Sequence, residues 1–203
     1  MIIRELLVPD SYEITPKQHS DERGVFLEWF RFDRLEDEIG HKFDLKQANT
    51  SVSKKGVVRG IHFADIPPGQ AKYVTCPYGS VLDYVIDIRV GSPTFGKWDT
   101  VLLDGKDRKA IYISEGLGHA FVALEDNSVV SYLVSDTFNA SREHGINPLD
   151  SEIGLVFPEA AGIPLLSPKD TEAPGLSEAA SLGLLPNFAE VKDFYSSLSQ
   201  SGI

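Results

Sequence analysis

From about Val25 to Phe138 short apolar runs alternate with turn signals, among them Lys54 to Gly56, Pro67 to Gln70, Pro77 to Ser80, Gly91 to Gly96, Leu103 to Asp107 and Leu124 to Ser128. Runs of roughly five to eight residues at this spacing predict an all-β sandwich or barrel. In Ser80 to Val90 the even positions Leu82, Tyr84, Ile86, Ile88 and Val90 form one apolar face, and Val81, Asp83, Val85, Asp87 and Arg89 form the other, following the two-residue period of a strand. Asp83 lies between two valines on its own face, which predicts an inward-pointing carboxylate. Further strands are expected near 109–114, 119–124 and 129–135. Helical periodicity is peripheral. One helix is expected with Asp33 as N-cap and Gly40 as its stop, and another after Asn187, with Glu190 three residues on and Phe188, Val191, Phe194 and Leu198 along one stripe. The Pro- and Gly-bearing segment 158–176 predicts an extended wrap across the sheet.

Composition narrows the class. The chain has 203 residues, 42% of them hydrophobic and 24% charged, ordinary for a globular protein. No run reaches the length of a membrane span and no secretory leader opens the chain, so a cytoplasmic protein is expected, with no membrane association. Cys76 is the one cysteine; an intramolecular disulfide is excluded, a cysteine-based zinc site is implausible, and a small buried apolar role is expected. The formal net charge of -11 argues against nucleic-acid binding, which needs a basic face. It leaves room for a small anionic ligand held by a few cations in a cleft.

Such cations occur in "VVRGIHFADIPPGQAKYVTC", Val57 to Cys76, which puts Arg59, His62 and Lys72 into a strand, a turn and a second strand. Their odd separation sends Arg59 and His62 to opposite faces of a regular strand; a bulge at Gly60 would return them to one side. His119 follows a glycine-bearing turn and opens another strand, so both histidines can line one lumen. Tyr132 could be a packing residue or, beside an imidazole and an ammonium, a proton donor. Arg23 and Glu28, taken alone, read as a turn and an exposed strand face, and Asp170 as a solvated loop residue. A metal-binding cupin would show a second histidine two positions after the first; "GIHFAD" lacks it.

The collinear set "DERGVFLEWF", "QANTSVSKKGVVRGIHF", "PPGQAKYVTC", "GSVLDYVIDIRVGSPTFGKWDTVLL", "YISEGLGHAFVAL", "SYL" and "LSPKD" resembles the dTDP-4-dehydrorhamnose 3,5-epimerase family and its relatives in deoxysugar biosynthesis, from about residue 2 to 190. The resemblance implies a cupin-type jelly-roll barrel with a few peripheral helices. Residues 1–203 would then form a single domain with a C-terminal helical extension, in a homodimer whose N-terminal strand crosses to the neighbouring subunit's site. It also implies a dTDP-4-keto-6-deoxyhexose substrate and no metal or other cofactor. Residue by residue, His62 matches the family's general base, Asp170 its orienting carboxylate, Lys72 the group beside the keto oxygen and Tyr132 the acid. His119 with Asp83 matches a second buried His–Asp pair. Arg23, Phe26, Glu28, Gln47, Asn49 and Arg59 match positions around the nucleotide and diphosphate.

One departure stands out: Phe138 occupies a position near the sugar where rhamnose enzymes commonly carry tyrosine. The number of inverted carbons is therefore open between two and one. Rivals of another class are a metal-dependent cupin oxygenase and a catalytically silent nucleotide-sugar binding module. The combination of His62, Lys72, Tyr132 and Asp170 speaks against the silent module, since binding alone needs only basic and aromatic residues.

Overall fold

The computed structural model describes residues 1–200. Its strands are β1 (Ile2–Glu5), β2 (Ser11–Thr15), β3 (Gln18–Asp21), β4 (Gly24–Leu27), β5 (Gln47–Ser53), β6 (Val58–Ala64), β7 (Lys72–Tyr78), β8 (Ser80–Ile86), β9 (Trp98–Asp104), β10 (Ala110–Ile113), β11 (Gly118–Ala123), β12 (Ser128–Val134) and β13 (Glu143–Gly145). The helices are α1 (Phe32–Ile39), α2 (Pro168–Thr171), α3 (Leu176–Ser181) and α4 (Phe188–Gln200), with one 3-10 turn at Glu159–Ala161. A six-stranded sheet runs β1-β2-β10-β7-β12-β5 and a five-stranded sheet β13-β6-β11-β8-β9, every pair antiparallel. The two pack face to face as a jelly roll. A separate hairpin of β3 and β4 stands apart from both.

The alternation read from the sequence explains the layers. Val81 and Val85 of β8 join Val74, Cys76, Val101, Ile111 and Val130 in the core between the sheets. Tyr84 and Ile86, with Ile88 beyond the strand, face outward yet are equally buried, because Ile146, Ile153, Ala161, Leu176 and Ala179 of the 146–185 segment cover that face. The outer face of the six-stranded sheet is closed by Leu35 of α1 and by Phe43, packed on Tyr73 and Tyr112. Cys76 is fully buried, and that burial pushes its thiol up to about 12. No described helix is long and apolar enough to cross a membrane.

Three expectations need correction. The strand beginning at Ser80 ends at Ile86, short of Val90. Asp87 leaves the ladder to hold Arg89 through two bonds of 2.9 Å, with the hydroxyls of Ser92 and Thr94 each at 2.6 Å. Fully buried Arg89 also donates to Asp10 at 2.6 Å and lies 5.2 Å from the Phe188 ring, while Lys192 of α4 reaches Asp10 at 2.8 Å. Second, α1 begins at Phe32, with Arg31 rather than Asp33 at the N-cap position. Asp33 is engaged by the Arg31 guanidinium at 2.9 and 2.6 Å, and sits in the first turn, where a carboxylate favours the helix dipole. Gly40 ends the helix in the left-handed region, as expected. Third, segment 158–176 is broken by the 3-10 turn, α2 and the start of α3; its extended part pairs at Val57 with Leu165. Asn187 caps α4 as expected, its side chain accepting from Ala189 and Glu190 N–H groups.

Candidate active site

At one end of the space between the sheets the apolar lining gives way to polar side chains around a cavity of about 320 Å³. On β5 the inward positions Gln47, Asn49 and Ser51 alternate with outward Ala48, Thr50 and Val52. Tyr132 on β12 lies opposite Asn49, and Lys72 on β7 pairs with Val134, two residues along the same strand. The five-stranded sheet contributes Arg59, His62 and His119. His119 and His62 are direct partners across β11 and β6, but the next pairing joins Phe121 to Arg59, a register shift at Gly60. This is the irregularity the odd Arg59–His62 spacing demands, and both side chains reach the cavity.

Gly60 has φ of +121°, and a Cβ there would stand 2.5 Å from the His119 carbonyl oxygen. Gly60→Ala is therefore expected to cost at least about 3 kcal/mol and lower Tm by roughly 6–12 °C, read by thermal melting. An unchanged Tm would mean that the bulge tolerates a side chain.

Each histidine is held by a carboxylate. His62 Nε2 lies 2.7 Å from Asp170 Oδ1, and His119 Nε2 lies 2.9 Å from Asp83 Oδ2 and 3.0 Å from Oδ1. Asp83 is fully buried, and desolvation raises its pKa despite His119 and Lys72. For Asp170 burial also acts upward, but hydrogen bonds from His62 and Ser167 prevail and hold the carboxyl below its usual range. Asp170 is 5% exposed and sits in the short helix α2, which corrects its reading as a solvated loop residue. With Nε2–H donating to a carboxylate, His62 keeps Nδ1 as its basic lone pair. The Cδ2 edge of the ring faces Gly145 on β13.

Lys72 is 6% exposed and makes no ion pair among the described residues. Burial lowers its pKa; the charges of Glu143, Asp83 and Glu115 act in the opposite direction. Tyr132 is raised, chiefly by burial, with Arg59 opposing. The Arg59 guanidinium is tethered at Nε to Ser53 Oγ, 3.2 Å away, leaving its terminal nitrogens for a ligand. Gln47 donates to Asn49 at 2.7 Å and accepts from the Phe138 N–H at 3.0 Å, so Phe138 is fixed at the cavity rim.

Arg23, Phe26 and Glu28 are not brought to this cavity within the chain. Arg23 and Phe26 belong to the β3–β4 hairpin, where Arg23 pairs with Asp21 and the Phe26 ring is exposed; Glu28, just beyond, pairs with Arg31. The cavity also contains residues that sequence reasoning missed: Ser51, Gln70, Phe121, Glu143, His144 and Lys169. Ser51 was accessible through its alternation with Gln47 and Asn49. Glu143 and His144 carried no such signal, since a strand of three residues at a sheet edge has no readable period.

Comparison with known proteins is consistent along the chain. The dTDP-4-dehydrorhamnose 3,5-epimerase family model matches residues 5–178. A protein of that name from Mycolicibacterium smegmatis (strain ATCC 700084 / mc(2)155) is 52% identical over 201 residues, covering 99% of this chain and 98% of that protein. A dTDP-4-dehydrorhamnose 3-epimerase from Streptomyces niveus is also 52% identical, over 93% of this chain and 90% of that protein. The solved structure of ChmJ, a 3'-monoepimerase from Streptomyces bikiniensis in complex with dTDP-quinovose, superposes with a TM-score of 0.94 at 42% identity, covering 97% of this chain and 99% of that one. With its jelly roll and a family match spanning most of its length, this chain belongs to the dTDP-4-dehydrorhamnose 3,5-epimerase family of isomerases.

Proposed function

We propose that the protein inverts carbons 3 and 5 of dTDP-4-keto-6-deoxyglucose, giving dTDP-4-keto-L-rhamnose. The observation that carries this reading is that His62 and Tyr132 line one cavity from opposite sheets, with Lys72 two residues along from Tyr132's level. A ketone at carbon 4 acidifies both neighbouring C–H groups, so one cavity can serve two centres. His62 Nδ1 takes the proton; the C–H electron pair becomes the C=C bond of an enolate, and the carbonyl pair moves onto oxygen. Lys72 stabilises that oxygen, while Asp170 stabilises the imidazolium. Tyr132 then delivers its phenolic proton to the carbon from the other face, which converts exchange into inversion.

Arg59, with Gln47 and Asn49, faces the diphosphate and nucleotide in this reading. Arg23, Phe26 and Glu28, exposed on and beside the hairpin, act on the cavity of a second copy in a homodimer. Phe138 bears on how many carbons invert. A missing hydroxyl removes one hydrogen bond, about 0.5–1.5 kcal/mol net, which slows one of two steps by up to about tenfold without forbidding it. Both carbons are thus expected to invert at unequal rates. The test is proton NMR and mass spectrometry on dTDP-4-keto-6-deoxyglucose in deuterium oxide, with products trapped by borohydride. Two deuterons with inversion at both carbons support the proposal; one deuteron that persists at one would assign the protein to the mono-epimerases.

A further inference from the structure

We propose that Ser167 is a positioning residue for the His62–Asp170 pair, its hydroxyl fixing the carboxylate that orients the base. The inference rests on the assignment of His62 as base, made above. Ser167 Oγ stands at the junction of two jobs. It donates to Asp170 Oδ2 at 2.8 Å, and it accepts from the Asp170 backbone N–H at 3.2 Å as the N-cap of α2. Oδ1 of the same carboxylate faces His62 Nε2 at 2.7 Å. One carboxylate oxygen is thus held by serine and the other by the imidazole, which leaves Asp170 no free rotation about its terminal bond.

The surroundings keep this arrangement from being a surface accident. Asp170 is 5% exposed, so Oδ2 without Ser167 would be a buried acceptor lacking its donor, a costly state. Ser167 is itself anchored: its carbonyl accepts from the Thr171 hydroxyl and backbone N–H, each at 3.0 Å, and the Thr171 carbonyl accepts from Asn147 Nδ2 at 3.0 Å. Asn147 follows the β13 edge against which the His62 ring packs. The base is therefore oriented from a segment more than a hundred residues away in sequence, through a chain of hydrogen bonds ending on its own ring. Lys169, beside Asp170, lowers the carboxyl's pKa further, but makes no ion pair with it among the described residues.

Capping and orienting can be separated because glycine is nearly as good an N-cap as serine but carries no hydroxyl. In Ser167→Gly, kcat for deuterium uptake into dTDP-4-keto-6-deoxyglucose is expected to fall about tenfold or more, since loss of precise orientation of a reacting group costs up to about 10²-fold, with KM within about twofold. Ser167→Thr, which keeps the hydroxyl, is expected to restore most of the loss.

A readout that needs no substrate accompanies it. The Nε2–H proton of His62, bonded to a carboxylate, should give a downfield NMR resonance, assigned by its disappearance in His62→Asn. It is expected to broaden into exchange with water in Ser167→Gly and to return in Ser167→Thr. Should Ser167→Gly fail to fold by circular dichroism, Ser167→Ala replaces it with the same expectations. Retention of both kcat and the resonance in a folded variant lacking the hydroxyl overturns the proposal. An inactive wild type would instead overturn the assigned function, while the resonance still decides the role of Ser167.

Discussion

His62→Asn is expected to lower deuterium incorporation at the sugar carbons by about 10²–10⁴-fold, the usual contribution of a general base, while dTDP affinity stays near wild type. Asparagine can still donate to Asp170 from its amide, so the local packing survives, but it has no lone pair of useful basicity to replace Nδ1. The nucleotide contacts assigned to Arg59 and Asn49 are on other side chains and are untouched. Solvent exchange followed by proton NMR, with calorimetric titration of dTDP, checks both halves. Near wild-type exchange would remove His62 from the mechanism and turn attention to His119, its direct partner on the neighbouring strand β11, which carries its own carboxylate.

Lys72→Met ranks next. Methionine keeps an unbranched apolar chain of similar length at this buried position and removes the charge, so a fall of about 10²–10³-fold in kcat is expected, as for loss of one oxyanion donor. The wild-type pH profile supplies a second arm. Burial lowers the Lys72 pKa, so the cationic form is present at low pH and is lost as pH rises through a value below that of an ordinary lysine. Wild-type activity should show an alkaline limb at that point, and the limb should vanish from the residual activity of Lys72→Met. A limb that persists unchanged would belong to another group and would remove Lys72 from this role.

Much of the barrel could be read from alternation, and the reason is visible in β8. Both of its faces are buried, yet Asp83 interrupts one of them, and that interruption marks the partner of His119. The Gly60 bulge was legible because Arg59 and His62, two basic side chains at an odd spacing, share a face only if the strand is irregular between them. Other elements were not legible. The strands before Val25 are short, and β1 is largely exposed, so no apolar period announces it. Asp170 looks like a loop residue because α2 is one turn long; what buries it is contact with β6, a tertiary fact without local trace. Arg89 read as one more inward strand position, but its guanidinium needed anions, and it found them in Asp87 and Asp10. The family resemblance, not the pattern, gave Lys72 its expected place beside the keto oxygen and chose between the packing and proton-donor readings of Tyr132, since a lysine or tyrosine in a strand has ordinary alternatives.

The Arg89 cluster also bears on what can be deleted. The segment from Phe188 onward looks like an appendage to the barrel, but Lys192 and Phe188 close over Asp10 and Arg89 from outside. Cutting the chain before Asn187 would uncover a guanidinium that now has no exposed surface and strip Asp10 of its ammonium partner. The same cut would remove the Tyr195 hydroxyl from the Glu115 carbonyl, at the turn that leads into the His119 strand. Truncation at this end would thus reach the turn that leads to His119 and the cavity, making α4 a buttress of the candidate site rather than a removable tail.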